Sequence, residues 1–277
     1  MNYNFGIAIA NGVNSKLKIM KKTLILFFAL LLFFAFGCKK DATQFPSQTN
    51  LLLSLETVTN SAGQVTDSLA YNYDEFNRLT EFKHSSNGDD YIFNYDDYDN
   101  LTSVNYYNQR KLINVTIFNY NGSTVVQNTV YFVNGAVSGI GVCTLTLNAN
   151  QKIIKRDYGA NNYDSYTYDA LGNLNTESFY KATNTTTPFS TASFLYDNSK
   201  SPFTNAKGNY NLFIIDNSKN RWDYKYYTNN VTGANFGTYT ITTGNYLYTD
   251  AGFPASVTFV NSSTGASETH SYSYTSN

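Results

Sequence analysis

The chain has 277 residues, 19 Lys and Arg against 20 Asp and Glu, and an aromatic share of 17% with 25 Tyr and 20 Phe. A balance without clustered Lys or Arg argues against a nucleic-acid partner, which is bound by counterion release onto a basic face. With 4 Pro, 17 Gly and many Asn and Thr beside the aromatics, the composition favours strands and tight turns over helices.

The first 37 residues read as a signal peptide, with the true start at Met20. Lys21 and Lys22 precede an unbroken apolar run from Thr23 to Phe36, shorter than the roughly 20 residues of a comfortable bilayer span. Ala35, Phe36, Gly37 and Cys38 resemble the lipobox of bacterial lipoproteins, which implies cleavage after Gly37 and lipid on Cys38. Removing residues 1–37 takes away Lys16, Lys18, Lys21 and Lys22 and no acid, so the net charge moves from −1 to −5. Residues 38–50 then form a lipidated end and polar tether. The remainder, 51–277, is long enough for a single β domain. Cys143 is the other cysteine; it sits in a strand-like apolar stretch and is expected to be a buried thiol.

Leu51–Val58 and Val65–Asp74 are the first strand candidates. In the second, Leu69, Tyr71 and Tyr73 share a face by the period of two. A unit then recurs. It is sharpest at Tyr166, Thr167, Tyr168, Asp169, Ala170, Leu171, Gly172, Asn173, Leu174, with copies beginning at Tyr71 and Phe93. Two rings on one strand face are followed by an Asp that can cap its own turn and a residue suited to positive φ. Looser copies stand at Phe118–Gly122, Leu145–Ile153, Phe194–Asp197 and Tyr246–Pro254. Beyond Leu79 and Leu101 the next apolar residue comes three positions on. That offset predicts a bulge, or a leucine tucked under the turn. From Thr183 to Lys219, rich in Ser, Thr and Asn, longer loops are expected. Tyr272 and Tyr274 mark a last strand that closes the sheet.

The copies at Tyr71, Phe93 and Tyr166 resemble the YD repeats of Rhs and teneurin-type shells. Together with the lipobox, they are similar to uncharacterised β-rich lipoproteins of Gram-negative bacteria with a porin-like sheet. The resemblance implies an all-β antiparallel meander, curled or closed into a barrel-like sheet. It brings no catalytic residues. Asn77 stands where the repeat has glycine, and several tyrosine pairs are degraded, which leaves the repeat count open.

No motif assigns chemistry. His84 and His270 lack a second ligand at useful spacing, so no metal site is read. Asp89, Asp90, Asp96, Asp97 and Asp99 invite calcium but lack the glycine and distant Glu of an EF-hand loop. No catalytic residue and no cofactor are expected. Trp222, Tyr224 and Tyr226 share one face of a strand candidate, either core or a platform for a ligand such as a glycan. The reading that follows is an envelope lipoprotein without assigned activity, a binding or scaffold protein at the outer membrane facing the periplasm or cell surface. Its partners would be the membrane, through lipid on Cys38, and a glycan or envelope protein. The alternative is a carbohydrate-processing hydrolase whose carboxylates converge only in the fold.

Overall fold

The computed structural model describes residues 50–209 and 228–276. They form one antiparallel meander with no helical element. The strands are β1 (Leu51–Asn60), β2 (Val65–Tyr73), β3 (Leu79–His84), β4 (Asp89–Tyr95), β5 (Leu101–Asn108), β6 (Lys111–Asn121), β7 (Thr124–Val133), β8 (Ala136–Leu147) and β9 (Ile153–Gly159). They continue as β10 (Asn162–Tyr168), β11 (Leu174–Tyr180), β12 (Ser190–Lys200), β13 (Asn229–Asn235), β14 (Thr240–Thr243), β15 (Leu247–Tyr248), β16 (Pro254–Asn261) and β17 (Ser267–Ser276). Each strand pairs with the next except β14, which pairs with β16, and β17 returns to pair with β1 from Leu51↔Ser276 to Asn60↔Glu268. Because β14 and β15 both lie along β16, they occupy one rung of the ring. The result is a closed barrel of 16 strands, and the final strand predicted at Tyr272 and Tyr274 closes it.

Alternation sets the two faces. Leu69, Tyr71, Phe93, Leu101, Tyr166, Leu174, Phe194 and Phe259 point inward and belong to one buried cluster that runs round the ring. The outer face carries Ser68, Asn72, Glu81, Lys83, Asn94, Ser103, Thr176, Ser193, Ser271 and Ser273, alternate to those inward positions in the ladders. Most of it is hydroxyl, amide or charge.

The repeated turns share one geometry. In the sharpest copy, Asp169 Oδ1 accepts from the amides of Leu171 at 2.9 Å and Asn173 at 2.8 Å. The Asp169 amide donates to Asn173 O, and Gly172 takes φ of 86°. Asp74 and Asp96 make the same pair of bonds in their turns. So does Asn148, through its amide oxygen. The left-handed position tolerates Asn77, Asp99 and Gln151 at φ of 65°, 63° and 58°, which explains why glycine is dispensable there. A side chain at Gly172 would also meet Lys152 Nζ at 2.6 Å.

A register shift follows every such turn. Tyr73 pairs with Leu79 while Asn72 pairs with Glu81, and Tyr168 pairs with Leu174 while Thr167 pairs with Thr176. The skipped residue is a bulge, and Leu79, Leu101, Ile153 and Leu174 tuck under their turns fully buried. Both sequence readings of the three-residue offset therefore hold together. The carbonyl at the bulge is then met by the tyrosine of the next hairpin. Tyr95 donates to Leu79 O at 2.8 Å, Tyr120 to Leu101 O at 3.0 Å, Tyr168 to Ile153 O at 2.7 Å and Tyr196 to Leu174 O at 2.8 Å. Tyr246 to Val231 O and Tyr274 to Pro254 O continue the series. A ring that is mostly buried must still satisfy its hydroxyl, and this pattern lets a large apolar ring face inward at each hairpin.

The turn carboxylates give the fold an acid limit. Burial works to raise Asp169, but bonds from Asn173 and the turn amides outweigh it and hold the carboxyl below its ordinary value of 3.8. Asp74 and Asp96 are lowered in the same way, with Arg78 assisting. A depressed folded-state value contributes stability above the unfolded value, which is lost as pH falls through the folded one. Urea midpoints are therefore expected to fall below about pH 4. Asp169→Asn, which keeps the acceptor that Asn148 shows is sufficient, should flatten part of that dependence.

One expectation needs correction. The stretch from Thr183 to Lys219 is not simply loop, since β12 occupies Ser190–Lys200 with Ala192 and Phe194 inward. After it, Ser201–Asn209 crosses the end of the barrel that bears the repeated turns. Lys207 N donates to Asn77 O at 2.8 Å, Asn205 Nδ2 to Leu51 O at 2.9 Å, and Phe203 meets Tyr71 edge-on at 5.3 Å.

Candidate functional site

The inner face carries ionisable groups that alternation places among the aromatics. At the closing seam, Glu56 on β1 and His270 on β17 are 0% and 1% exposed. His270 Nδ1 lies 2.5 Å from Glu56 Oε1, and its Nε2 lies 3.0 Å from Glu268 Oε1. Tyr71 donates to Glu56 Oε2 at 3.0 Å. Each ring nitrogen of His270 thus faces a carboxyl oxygen, one on each neighbouring side of the seam. Beside Glu268 a depression of about 460 Å³ opens, lined by Tyr239, Ile241, Phe259, Asn261 and the residues of the turn before β17.

A second network spans β7 to β11. Arg156, 1% exposed, donates to Gln127 Oε1 at 2.8 Å, and Cys143 Sγ approaches the same oxygen at 3.4 Å. Arg156 stands opposite Asp164 in the ladder, and Glu177 opposite Tyr166. Tyr158 donates to Asp164 Oδ2 at 2.6 Å. Burial raises the Asp164 carboxyl above the usual range, the Tyr158 bond pulls it down, and the nearby Glu177 charge pushes it up again. Burial likewise drives the Tyr166 hydroxyl well above its ordinary value, with Glu177 adding to it.

A third group joins His84 Nδ1 to Asp67 Oδ2 at 2.8 Å, while Asp67 Oδ1 accepts the amides of Ser68 and Ser86. Next to it, Phe82, Tyr91 and Tyr106 stack at 4.5 and 4.7 Å. Burial and then the Asp89 carboxylate, which accepts from its hydroxyl, push Tyr106 up to about 12.

Both histidines, read from spacing as lacking a second metal ligand, are carboxyl-bonded, His84 to Asp67 on the neighbouring strand and His270 to Glu56 across the seam and to Glu268 on its own strand. The acidic cluster is dispersed. Asp89 accepts from Tyr106 and Asn108, Asp90 pairs with Lys83, and Asp96 caps its turn. Among the described residues no group of three or more His, Cys, Asp or Glu could hold a metal. Cys143 is a buried thiol, as expected. Cys38 and the candidate platform Trp222, Tyr224 and Tyr226 lie outside the described residues. Asp164 and Glu177 are carboxylates that the fold does bring near one another, a convergence no sequence spacing announced. At 7% and 5% exposure, both are out of reach of a substrate in solution.

No family model and no curated protein matches the chain. Among solved structures, a porin-like protein from Bacteroides uniformis is similar at 13% identity and a TM-score of 0.43, covering 83% of this chain and 97% of that one. A porin-like protein from Bacteroides vulgatus follows at 12% identity and 0.34, covering 81% and 99%. The Photorhabdus luminescens Tc holotoxin pore is similar at 11% and 0.20, with 78% of this chain on 16% of that one. Likeness at these scores carries no inference about activity, and the ring closure stands on the strand pairing itself.

Proposed function

We propose that this protein is a lipid-anchored envelope barrel that acts by binding or as a scaffold, and that it does not span the bilayer. The observation that carries the reading is the outer face. A spanning barrel needs an apolar band about 25 Å tall all round its outside, whereas the outward residues of β1–β5 and β9–β17 are dominated by Ser, Thr, Asn, Lys, Asp and Glu. Strand length does not make the distinction, because β6, β7 and β8 have 11, 10 and 12 residues and are long enough to cross. Outer-face composition does. A barrel with such an exterior is held at a membrane by something other than its strands, and the sequence from Lys21 to Cys38 supplies a lipid attachment for that purpose. The class with three acyl chains at the cysteine anchors firmly, where one chain holds only marginally.

Radiolabelled palmitate should appear on the protein in its native host and vanish in Cys38→Ser, which should also leave the membrane fraction. Absence of label on the wild type would overturn the anchoring. Steady single-channel conductance from the purified barrel in planar bilayers would overturn the scaffold reading. Trp222, Tyr224 and Tyr226 stay the proposed ligand platform. Trp222→Ala is expected to weaken glycan or partner capture without changing the melting temperature. No observation favours the hydrolase.

A further inference from the structure

Two neighbouring copies of the repeated turn carry an aromatic ring at the tip, two residues after the capping Asp. Phe76 between β2 and β3 is 55% exposed, and Tyr98 between β4 and β5 is 85% exposed, the highest value for a large apolar side chain among the described residues. The turn itself asks for no ring there. The same bonds form around Asn150 after Asn148 and around Leu171 after Asp169, because the cap uses only the backbone amide of that residue. Two rings left in water at adjacent tips therefore contribute little to the fold.

The tips are fixed relative to one another. Arg78 donates from Nε to Asp74 Oδ2 at 2.7 Å in its own turn and from Nη1 to Asp96 O at 3.0 Å in the next. Its guanidinium lies 5.0 Å from the centre of the Phe76 ring and 5.1 Å from that of Tyr95. From the segment that crosses this end of the barrel, Lys207 N donates to Asn77 O and Asn209 N to Asp99 O, one bond to each turn. Equivalent positions of adjacent hairpins are two strand spacings apart, about 9.5 Å, which is close to the advance of an extended β-linked glycan over two sugars. Successive sugars of such a chain alternate in orientation, so those two apart present the same C–H face to a pair of rings.

We infer that Phe76 and Tyr98 form a binding platform for an extended, uncharged β-linked polysaccharide, one ring under each of two sugars with a third sugar between them. The inference rests on the binding reading above and adds a contact separate from Trp222. Besides the spacing, the surroundings of the rings select this occupant. Glu75, Asp97 and Asp99 are exposed beside them; carboxylates accept hydrogen bonds from sugar hydroxyls and repel anionic lipids and anionic glycans. The rings stand singly among these charges and do not merge into the contiguous apolar area that a protein interface or a bilayer contact needs. Groups held in place before the ligand arrives lose little freedom on binding, which lets two stacking contacts suffice for a weak, measurable affinity.

Calorimetric titration of the purified protein with cellohexaose is expected to show saturable binding. Cellobiose, too short to reach both rings, should bind at least about tenfold more weakly, and so should maltohexaose, whose α-linked chain coils. Tyr98→Ala should weaken cellohexaose binding about tenfold at unchanged melting temperature, Tyr98→Phe should keep it, and Phe76→Ala with Tyr98→Ala should abolish it. If that double variant fails to fold, Tyr98→Ala alone decides. Leu171→Ala, at the tip of a distant turn, should bind as the wild type does. A wild type indifferent to cellohexaose overturns the platform and leaves the binding reading to the Trp222 test. Equal affinity for cellobiose or maltohexaose overturns it, as does binding untouched by Tyr98→Ala. Binding lost in Trp222→Ala while the ring variants are neutral keeps the binding reading and overturns this site. Capture of decalysine through the same rings in place of cellohexaose would assign the surface to a basic peptide and likewise overturn it.

Discussion

Leu174→Ala is expected to cost about 2–5 kcal/mol in urea unfolding, the range for truncating a buried leucine, whereas Leu171→Ala three residues earlier stays within about 0.5 kcal/mol. Both leucines belong to the same turn. Leu174 is fully buried beneath it after the register shift, and Leu171 is 58% exposed on its outer side. The comparison tests the burial that the bulged turn gives Leu174 and denies Leu171. The same substitution at Leu79 or Leu101 should fall in the same range, since each occupies the equivalent place and is equally buried. Tyr196→Phe, which removes the bond to Leu174 O, is the smaller companion at about 1 kcal/mol.

At the seam, His270→Ala is expected to destabilise by about 3–5 kcal/mol, the cost of leaving the other member of a buried acid–histidine pair uncompensated. The substitution takes the imidazole partner from Glu56, itself fully buried, and leaves a void beside Phe259, whose ring meets the imidazole edge-on at 4.8 Å. Because His270 and Glu56 lie on the two strands that close the ring, the loss should speed amide exchange first in β1 and β17. Glu56→Leu combined with His270→Leu should recover most of the stability, since buried pairs are often replaceable by apolar residues of similar size. Failure of that double variant to recover would show that the pair holds the ring closed through its bonds and that packing alone does not.

Much of the architecture is written locally. The alternation of Leu69, Tyr71 and Tyr73, or of Tyr166 and Tyr168, fixes the inner face without reference to the rest of the chain. The Asp at 74, 96 and 169 fixes the turn, because its acceptor reaches amides only two and four residues on. Even the bulge was foreshadowed by the three-residue gap after Leu79 and Leu101. The strand from Ser190 was obscured because its first outward positions, Thr191 and Ser193, are of the residue types that fill loops.

What a period of two and a capping side chain determine is an all-β meander of Asp-closed hairpins with rings inward, and the sequence by itself is sufficient for that. Tertiary structure alone decided the ring closure, the pairing of Glu56 with His270 across 214 residues, the meeting of Asp164 with Arg156 and Glu177, and the length by which β8 outruns β9. The reason is range. Turn and alternation act through neighbours a few residues apart, whereas closure, buried ion pairing and strand mismatch depend on the register summed over every rung, which no single stretch of chain contains.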